Sequence, residues 1–271
     1  MGTLVFQSDP TEAERGLAFE PESVPESCMS KSFLFELCAD SLEAARAAQA
    51  GGADRMELCE DLTVAGVTPS PALLRAVLAE VSIPVHVLIR PRGGDFVYSA
   101  AEFRQMRREI EQAKASGAAG VAVGVLLPDG RVDVKRTREL FELARPMKVT
   151  FHRAFDETGD LDQALEDVIA SGADCLLTSG GAPNVLEGAE QIGRLQAQAG
   201  DRLEVMAGGG LKLRNLAEVV RRTGVTCLHG SLARPKSANG LANPSAMRAA
   251  LEEDLREAIR LLQQECLEPA R

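Results

Sequence analysis

The chain has 271 residues, of which 45% are hydrophobic and 26% charged, and its formal net charge is −10. This length and apolar fraction suit one large α/β domain, and the acidic excess disfavours nucleic-acid binding, which requires a basic face. No apolar run reaches the roughly 20 residues that cross a bilayer. Six cysteines without a CxxC or CxxH pair do not form a disulfide framework or a zinc knuckle. We therefore expect a cytoplasmic protein with reduced thiols that binds neither nucleic acid nor membranes.

Residues 1–32 differ from the rest of the chain. They are rich in acidic residues, contain prolines at positions 10, 21 and 25, and show no sustained periodicity. A segment of low hydrophobicity and net charge cannot offset the entropy cost of ordering. The sequence therefore predicts a disordered acidic tail over 1–32 and a folded domain over 33–271.

Short β-rich runs alternate with helical stretches from residue 33 onward. Several helical stretches end in glycine, as at Gly52 and Gly172, where a left-handed cap turns the chain into the next strand. The β-branched and aromatic clusters predict eight strands. They cover residues 33–38, 54–59, 84–90, 120–125, 147–152, 174–178, 203–207 and 226–230.

The helices between these strands carry start signals. Ser70-Pro71 is a cap with proline in the first turn, and Ser99 with Glu102 makes a capping box. Eight strand–helix units between residues 33 and 271 give about 30 residues per unit, the size of a βα module. Strict alternation and eight repeats predict a parallel sheet closed into a (β/α)8 TIM-type barrel. The alternative, an open doubly wound sheet, is poorly supported because no GxGxxG follows the first strand.

The site of such a barrel lies at the carboxyl ends of its strands, and the two-residue alternation decides which side chains point inward. Glu36 and Cys38 on the first strand should face the interior, and so should Glu57 and Cys59 on the second. Adjacent strands thus repeat one Glu-Leu-Cys element. Strands three and five, with the rim beyond them, add His86, Arg90, Arg92, His152, Arg153 and Asp156.

Buried charges carry a large desolvation cost unless they pair. We therefore expect Glu36 and Glu57 to bond with Arg90 and His152. Clusters of this kind occur preferentially at functional sites, but structural ion networks also contain them. Both interpretations stay open at the level of the sequence.

Two further features have a functional and a plain structural interpretation. The glycine run Gly208, Gly209 and Gly210 offers backbone amides for an anion such as phosphate, or it makes a tight turn. Cys38 and Cys59 are either small buried hydrophobes or a pair of thiols that captures a soft monovalent ion such as Cu(I).

Four sequence segments closely resemble the copper-homeostasis CutC family. They are Glu36–Asp40, Gly51–Cys59, Ile89–Tyr98 and Val149–Asp156, and the resemblance extends from about residue 33 to the last strand. It implies a (β/α)8 barrel, a cytoplasmic location and a homo-oligomer. It also implies copper trafficking or tolerance, with Cu(I) bound by the cysteines at positions 38 and 59.

The first of two functional hypotheses is a non-enzymatic copper-binding protein. Cys38 and Cys59 would supply two thiolates in near-linear geometry, and Glu36 and Glu57 would lie outside them. Cysteine sulfurs close enough to share one ion would favour this hypothesis.

The second hypothesis is an enzyme that acts on a small phosphorylated or carboxylated metabolite. Glu36 or Glu57 would be the general base and His152 the general acid, with Asp156 orienting a partner. Sulfurs held apart, with Arg90 bridging the glutamates beneath an open pocket, would favour it. The anion would be held by Arg90, Arg92, Arg153, Gly208, Gly209 and Gly210.

Overall fold

The structure, a computed structural model, describes residues 1–2, 33–232 and 244–267. The expected tail therefore lies, except for its first two residues, outside the described residues. The strands are β1 (Leu34–Ala39), β2 (Arg55–Leu58), β3 (Val85–Leu88), β4 (Gly120–Val123), β5 (Lys148–Phe151), β6 (Cys175–Thr178), β7 (Glu204–Gly208) and β8 (Cys227–Gly230). The α-helices are α1 (Leu42–Gly51), α2 (Pro71–Glu80), α3 (Ala100–Ala115), α4 (Val134–Ala144), α5 (Leu161–Ser171), α6 (Ala189–Ala199), α7 (Leu213–Thr223) and α8 (Pro244–Leu267).

The strands form a closed parallel barrel in chain order. Each strand pairs with the next along the chain, and β8 pairs with β1. This arrangement confirms the predicted (β/α)8 barrel. Strand β3 ends at Leu88, short of the predicted residue 90, because the Arg90 amide donates to the Thr68 hydroxyl at 2.8 Å rather than to the sheet.

The helix boundaries follow from the capping residues that the sequence contains. The Ser99 hydroxyl accepts from the Glu102 amide at 3.3 Å, and the Glu102 carboxylate accepts from the Ser99 amide at 2.7 Å. Ser70 caps α2 in the same position, ahead of the proline that opens the helix. Gly52 ends α1 at φ 90°, a conformation that costs glycine little.

The apolar core lies between the barrel wall and the helices. Outward-facing strand residues pack there against the inner faces of the helices, and nearly all are inaccessible to solvent. Members of this core include Phe35, Leu37, Met56, Leu58, Met106, Ile110, Phe151, Leu165, Val168 and Leu255. The inward-facing positions are therefore free to carry polar and sulfur-containing side chains. Among the described residues, no helix combines the length and apolarity needed to cross a membrane.

Candidate functional site

A cavity of about 740 Å³ opens at the carboxyl ends of the strands. Parallel strands bring their final residues to this one end, so side chains distant in sequence meet there. The ionisable and thiol side chains that line the cavity are Cys38, Glu57, Arg90, His152, Arg153, Asp156, Glu157, Lys212 and His229. The predicted position of the site, at the carboxyl ends of the strands, therefore coincides with this cavity.

Glu36 lies beneath the cavity in an ion-paired network. The Arg55 guanidinium donates to Glu36 Oε2 at 2.5 Å, and His229 Nδ1 lies 2.8 Å from Glu36 Oε1. His86 Nδ1 is 3.7 Å from the same carboxylate. Strand register explains these contacts, because β1 pairs Glu36 with Arg55 on one side and with His229 on the other.

The expected pairing of the glutamates with Arg90 and His152 is wrong. Both side chains lie beyond the last residue of their strands, β3 and β5, whereas Glu36 lies in the middle of β1. Arg90 instead bonds to the carbonyls of Val64, Gly66 and Gly94, and His152 to the Ala154 amide.

The environment of Glu36 favours its ionised form. Burial opposes ionisation, but the His229 hydrogen bond and the charges of His229, Arg55 and His86 together lower the Glu36 pKa to about 2. The His229 pKa is raised: burial opposes the imidazolium, but the Glu36 hydrogen bond and the charges of Glu57 and Glu36 outweigh it. The two residues therefore stabilise each other's charged forms.

Glu57, in contrast, is poorly compensated. Its carboxylate makes no hydrogen bond within the described part of the chain. Burial raises the Glu57 pKa, the charges of His229 and Arg55 lower it and that of Glu36 raises it, and together they bring it to about 7. Glu57 therefore titrates near neutral pH, as an acid–base group at an active site would.

Replacing Glu57 by glutamine should stabilise the metal-free protein in a pH-dependent way. Because the folded-state pKa of Glu57 is raised above its ordinary value of 4.5, stability is highest in acid, falls as pH rises from about 4.5 to about 7, and levels off above that. We expect Glu57→Gln to raise the free energy of unfolding by about 3 kcal/mol at pH 8 and by little at pH 4.5. Denaturant unfolding at both pH values measures the difference. The exposed Glu111→Gln variant is the control, and an equal gain at both pH values would contradict the assignment.

Arg90 lines the cavity but is largely used by the protein itself. Its guanidinium donates to the Val64 carbonyl at 2.7 Å, the Gly66 carbonyl at 2.9 Å and the Gly94 carbonyl at 2.8 Å. It also lies 4.8 Å from the centre of the Phe96 ring. Arg90 therefore fixes the loops that follow β2 and β3, and contributes positive charge to the cavity wall.

Arg92 does not join Arg90 at the cavity. Its guanidinium donates to the Glu102 carboxylate at 2.6 Å, the Asp95 carboxylate at 3.0 Å and the Val97 carbonyl at 3.0 Å. It is not among the residues that line the cavity. The expected clamp of two neighbouring arginines is therefore absent from the described residues, because Arg92 is held by its own loop and helix.

Asp156 organises the loop after β6. Its carboxylate accepts from the Thr178 hydroxyl and from the amides of Ser179 and Gly181, both at 3.0 Å. The Arg153 guanidinium donates to Asp156 at 2.8 Å and to the Ser179 hydroxyl at 3.0 Å. With its oxygens so fully used, Asp156 orients Arg153 and the loop.

His152 places one unsatisfied nitrogen in the site. Its Nδ1 accepts from the Ala154 amide at 3.2 Å, so the ring proton of the neutral imidazole is on Nε2. Nε2 is buried and has no hydrogen-bond partner in the described structure. Burial, with the positive charge of Arg90, lowers the His152 pKa to about 3, so the ring is neutral at pH 7. It therefore offers a hydrogen-bond donor instead of the acidic proton of an imidazolium.

A glycine on β4's extension makes room for this imidazole. A Cβ at Gly124 would lie 2.4 Å from His152 Nδ1 and 2.7 Å from the Ala154 Cβ. We expect Gly124→Ala to displace the ring and to destabilise the fold by about 1–3 kcal/mol. Urea unfolding measures the loss, and the His152 NMR signals report the displacement. Gly159→Ala is the control, since a Cβ there meets nothing within 4 Å; equal stability of the two variants would contradict the packing argument.

Cys38 and Cys59 bring their sulfurs together at the edge of the cavity. The two Sγ atoms are 3.7 Å apart, and both thiols are free. Cys38 Sγ also lies within 4.8 Å of a Glu57 carboxylate oxygen and a His229 ring nitrogen. The Cys59 hydrogen bond, burial and the charges of Glu57 and Glu36 raise the pKa of the Cys38 thiol. The pair therefore brings two soft ligand atoms together.

The glycines of the predicted run lie in two places, the barrel wall and the mouth of the barrel. Gly209 and Gly210 line the cavity, whereas Gly208 is the last residue of β7 and faces Leu177 and His229. A Cβ at Gly209 would lie 3.0 Å from the Arg153 guanidinium carbon. Glycine at this position therefore lets Arg153 approach the cavity.

Sequence analysis did not assign a role to three charged residues of the site. Arg55 lies two residues before Glu57 in β2, and His229 lies two residues after Cys227 in β8, so each faces the interior with its neighbour. Strict use of the two-residue alternation would have predicted this. Lys212 lies in the loop that follows β7, where no such alternation exists. Loop residues of this kind are located only by the fold.

A closed (β/α)8 barrel with a charged cavity and a thiol pair at its carboxyl end defines a TIM-type protein, and the cavity lies at the end where such barrels hold their ligands. The chain belongs to the CutC family, whose sequence profile matches residues 33–234. A CutC family protein of Chromobacterium violaceum is 49% identical over 73% of this chain and 80% of its own length. The human copper homeostasis protein cutC homolog is 46% identical over 74% of both chains. The crystal structure of CutC from Streptococcus agalactiae, 31% identical, covers 74% of this chain and 100% of its own with a TM-score of 0.70.

Proposed function

We propose that the protein acts in copper homeostasis by binding one Cu(I) ion between the thiolates of Cys38 and Cys59. The observation that carries this proposal is the 3.7 Å separation of the two sulfurs beside an open cavity. Family membership supports it, since the human relative is named for copper homeostasis. Copper would be the cargo of the protein and not a resident cofactor.

The chemistry of the ligand atoms suits a soft monovalent ion. Thiolates select Cu(I), and two thiolates with one Cu(I) leave a single negative charge. The neighbouring imidazole of His229, whose pKa is raised, can compensate that charge. Glu57 and His229 are also within reach of Cys38 as additional ligands or outer groups. Because the Cys38 pKa is raised, binding must release its proton, and acid should weaken the affinity.

Competition with a Cu(I) chelator under reducing, anaerobic conditions tests the proposal. The wild-type protein should withdraw Cu(I) from the chelator, and a Cys38→Ser, Cys59→Ser variant should lose this binding. Circular dichroism verifies that the variant is folded. Unchanged Cu(I) affinity at this site in the double variant would refute the proposal.

A cytoplasmic location and a homo-oligomeric state are further parts of the proposal. Two free thiols 3.7 Å apart are compatible with a reducing compartment, where disulfides are rare. The homo-oligomer is an inference from family membership alone. Cell fractionation and light scattering of the purified protein test the two statements.

A second candidate function is acid–base chemistry on a small anionic metabolite. A cavity of about 740 Å³ is far larger than one metal ion needs and falls in the range of small-molecule sites. Arg153 and Lys212 supply positive charge to its wall. Glu57, with its pKa of about 7, would be the base, and the neutral His152 would donate a hydrogen bond from Nε2 in place of the general acid expected from the sequence.

Thermal-shift measurements with sugar phosphates and small carboxylates test this second candidate. A true ligand should raise the melting temperature of the wild-type protein and raise that of a Lys212→Gln variant less. The Arg107→Gln variant, which removes a cation outside the cavity, should respond like the wild type. A uniformly flat screen would count against an anionic ligand.

A further inference from the structure

The opposite end of the barrel contains a second pair of cysteines. Cys175 is the first residue of β6 and Cys227 the first residue of β8, and Glu204 opens the strand between them. Their two sulfurs and a Glu204 carboxylate oxygen all lie within 4.8 Å of one another. Both cysteines are free and buried. This cluster is separate from Cys38 and Cys59, which lie at the carboxyl ends of their strands.

A thioether completes the cluster. Met206, two residues after Glu204, faces the same interior and packs with Cys175 and Cys227 in one buried group. The Arg55 Nη2 lies 3.4 Å from Met206 Sδ and 3.6 Å from Cys227 Sγ, so these two sulfurs flank the same guanidinium nitrogen. Three sulfur atoms therefore converge at this end of the barrel.

The cluster is reachable from the amino-terminal mouth. A cavity of about 280 Å³ is lined there by polar side chains and by Cys175. His86 also lines it, and its Nδ1 is buried without a hydrogen-bond partner among the described residues. The cavity thus offers an entry path to Cys175, and its wall includes an imidazole with one unsatisfied nitrogen. Its lining residues are Arg55, His86, Lys148, Thr150, Asp174, Cys175 and Glu204.

We propose that Cys175 and Cys227 form a second site for a soft monovalent ion, Cu(I), with Met206 as a weaker third ligand. Binding forms one copper–sulfur bond at each cysteine, and each thiol releases its proton to solvent through the amino-terminal mouth. The oxidation state of the ion does not change. This site does not depend on the proposed role of Cys38 and Cys59.

Charge and ligand type favour Cu(I) over a divalent ion at this position. Two thiolates and one Cu(I) carry a net negative charge, which the adjacent Arg55 cation offsets. Zn²⁺ requires four ligands, usually nitrogen and sulfur. Among the residues that the structure describes, only Glu204, half exposed at the mouth, adds a strong donor to the two thiolates. The thioether of Met206 strengthens the preference for a soft ion.

Cu(I) stoichiometry in four proteins tests this proposal. The wild type should bind two equivalents from a chelator, and the Cys38→Ser, Cys59→Ser variant and the Cys175→Ser, Cys227→Ser variant one each. The variant with all four substitutions is the baseline, because it retains Cys28 and Cys266. If the variant that lacks Cys38 and Cys59 binds no more than this baseline, the second site is refuted. If the variant that lacks Cys175 and Cys227 instead matches the baseline, only the proposed function fails.

A volume-conserving substitution provides a test that does not depend on removing buried thiols. In the protein that lacks Cys38 and Cys59, Met206→Leu should weaken Cu(I) binding by at least about tenfold. Met106→Leu, the same exchange at a buried methionine of α3, should leave it unchanged. Equal affinities of the two leucine variants would remove Met206 from the site, and loss of detectable binding in their common parent would overturn the site as a whole.

Discussion

Replacing Glu36 by glutamine should destabilise the protein by about 3 kcal/mol at neutral pH. The Glu36 side chain is only 2% exposed and its partner Arg55 only 12% exposed. Removing one partner of a buried ion pair leaves an uncompensated charge, which costs more than the pair contributes. The variant would also remove the negative charge that faces His229.

The pH dependence of this loss follows from the direction of the Glu36 shift. Its pKa falls from 4.5 to about 2 on folding, so the stabilisation is present above 4.5 and is lost as pH falls toward 2. The difference in the free energy of unfolding between the wild type and Glu36→Gln should therefore become smaller in acid. Chemical unfolding at pH 7 and pH 3 measures it.

The matched control for Glu36 is Glu80→Gln. Glu80 also pairs with an arginine, accepting two hydrogen bonds from Arg46 at 2.7 and 2.9 Å, but this pair is exposed. Exposed pairs contribute little because solvent screens them. We expect no measurable loss of stability in the control, and equal stabilities of the Glu36 and Glu80 variants would contradict the buried-network argument.

Replacing Cys38 or Cys59 alone should abolish most of the Cu(I) affinity at the site that they form. Cu(I) prefers thiolates to hydroxyl, carboxylate or imidazole ligands, so Cys38→Ser and Cys59→Ser should each weaken binding by at least about a hundredfold. The losses should be non-additive, with the double variant little worse than either single one. The measurement uses the Cys175→Ser, Cys227→Ser background so that, of the two proposed sites, only Cys38 and Cys59 contribute.

That background protein, folded and able to bind one Cu(I), is the reference for both single variants. A small loss in each single variant that adds up in the double variant would indicate ligands other than the thiol pair. Glu57 and His229 would then be the next residues to replace, because both lie within 4.8 Å of Cys38.

The sequence was sufficient for the fold and for the inward direction of the key side chains. Alternation along β1 and β2 placed Glu36, Cys38, Glu57 and Cys59 in the barrel, and the structure confirms that they lie there. These predictions depend only on the strand period, which is local. Capping residues and glycines in turns likewise act over a few residues.

The partners of those side chains could not be predicted in the same way. That Glu36 lies beside Arg55 and His229 depends on the register of β1 with two neighbours, one of them near the end of the chain. Arg92 illustrates the other limit. Arg92 lies two residues after Arg90, so a continuing strand would point both side chains inward. The strand ends at Leu88, however, so the alternation no longer applies and Arg92 donates to Glu102 instead.

Anomalous diffraction from crystals of the reduced protein loaded with one equivalent of Cu(I) addresses the role of the thiol pair most directly. Data collected at the copper absorption edge should show a peak between Cys38 Sγ and Cys59 Sγ, with both sulfurs in bonding contact. Copper located only elsewhere, with this thiol pair left free, would contradict the proposed function.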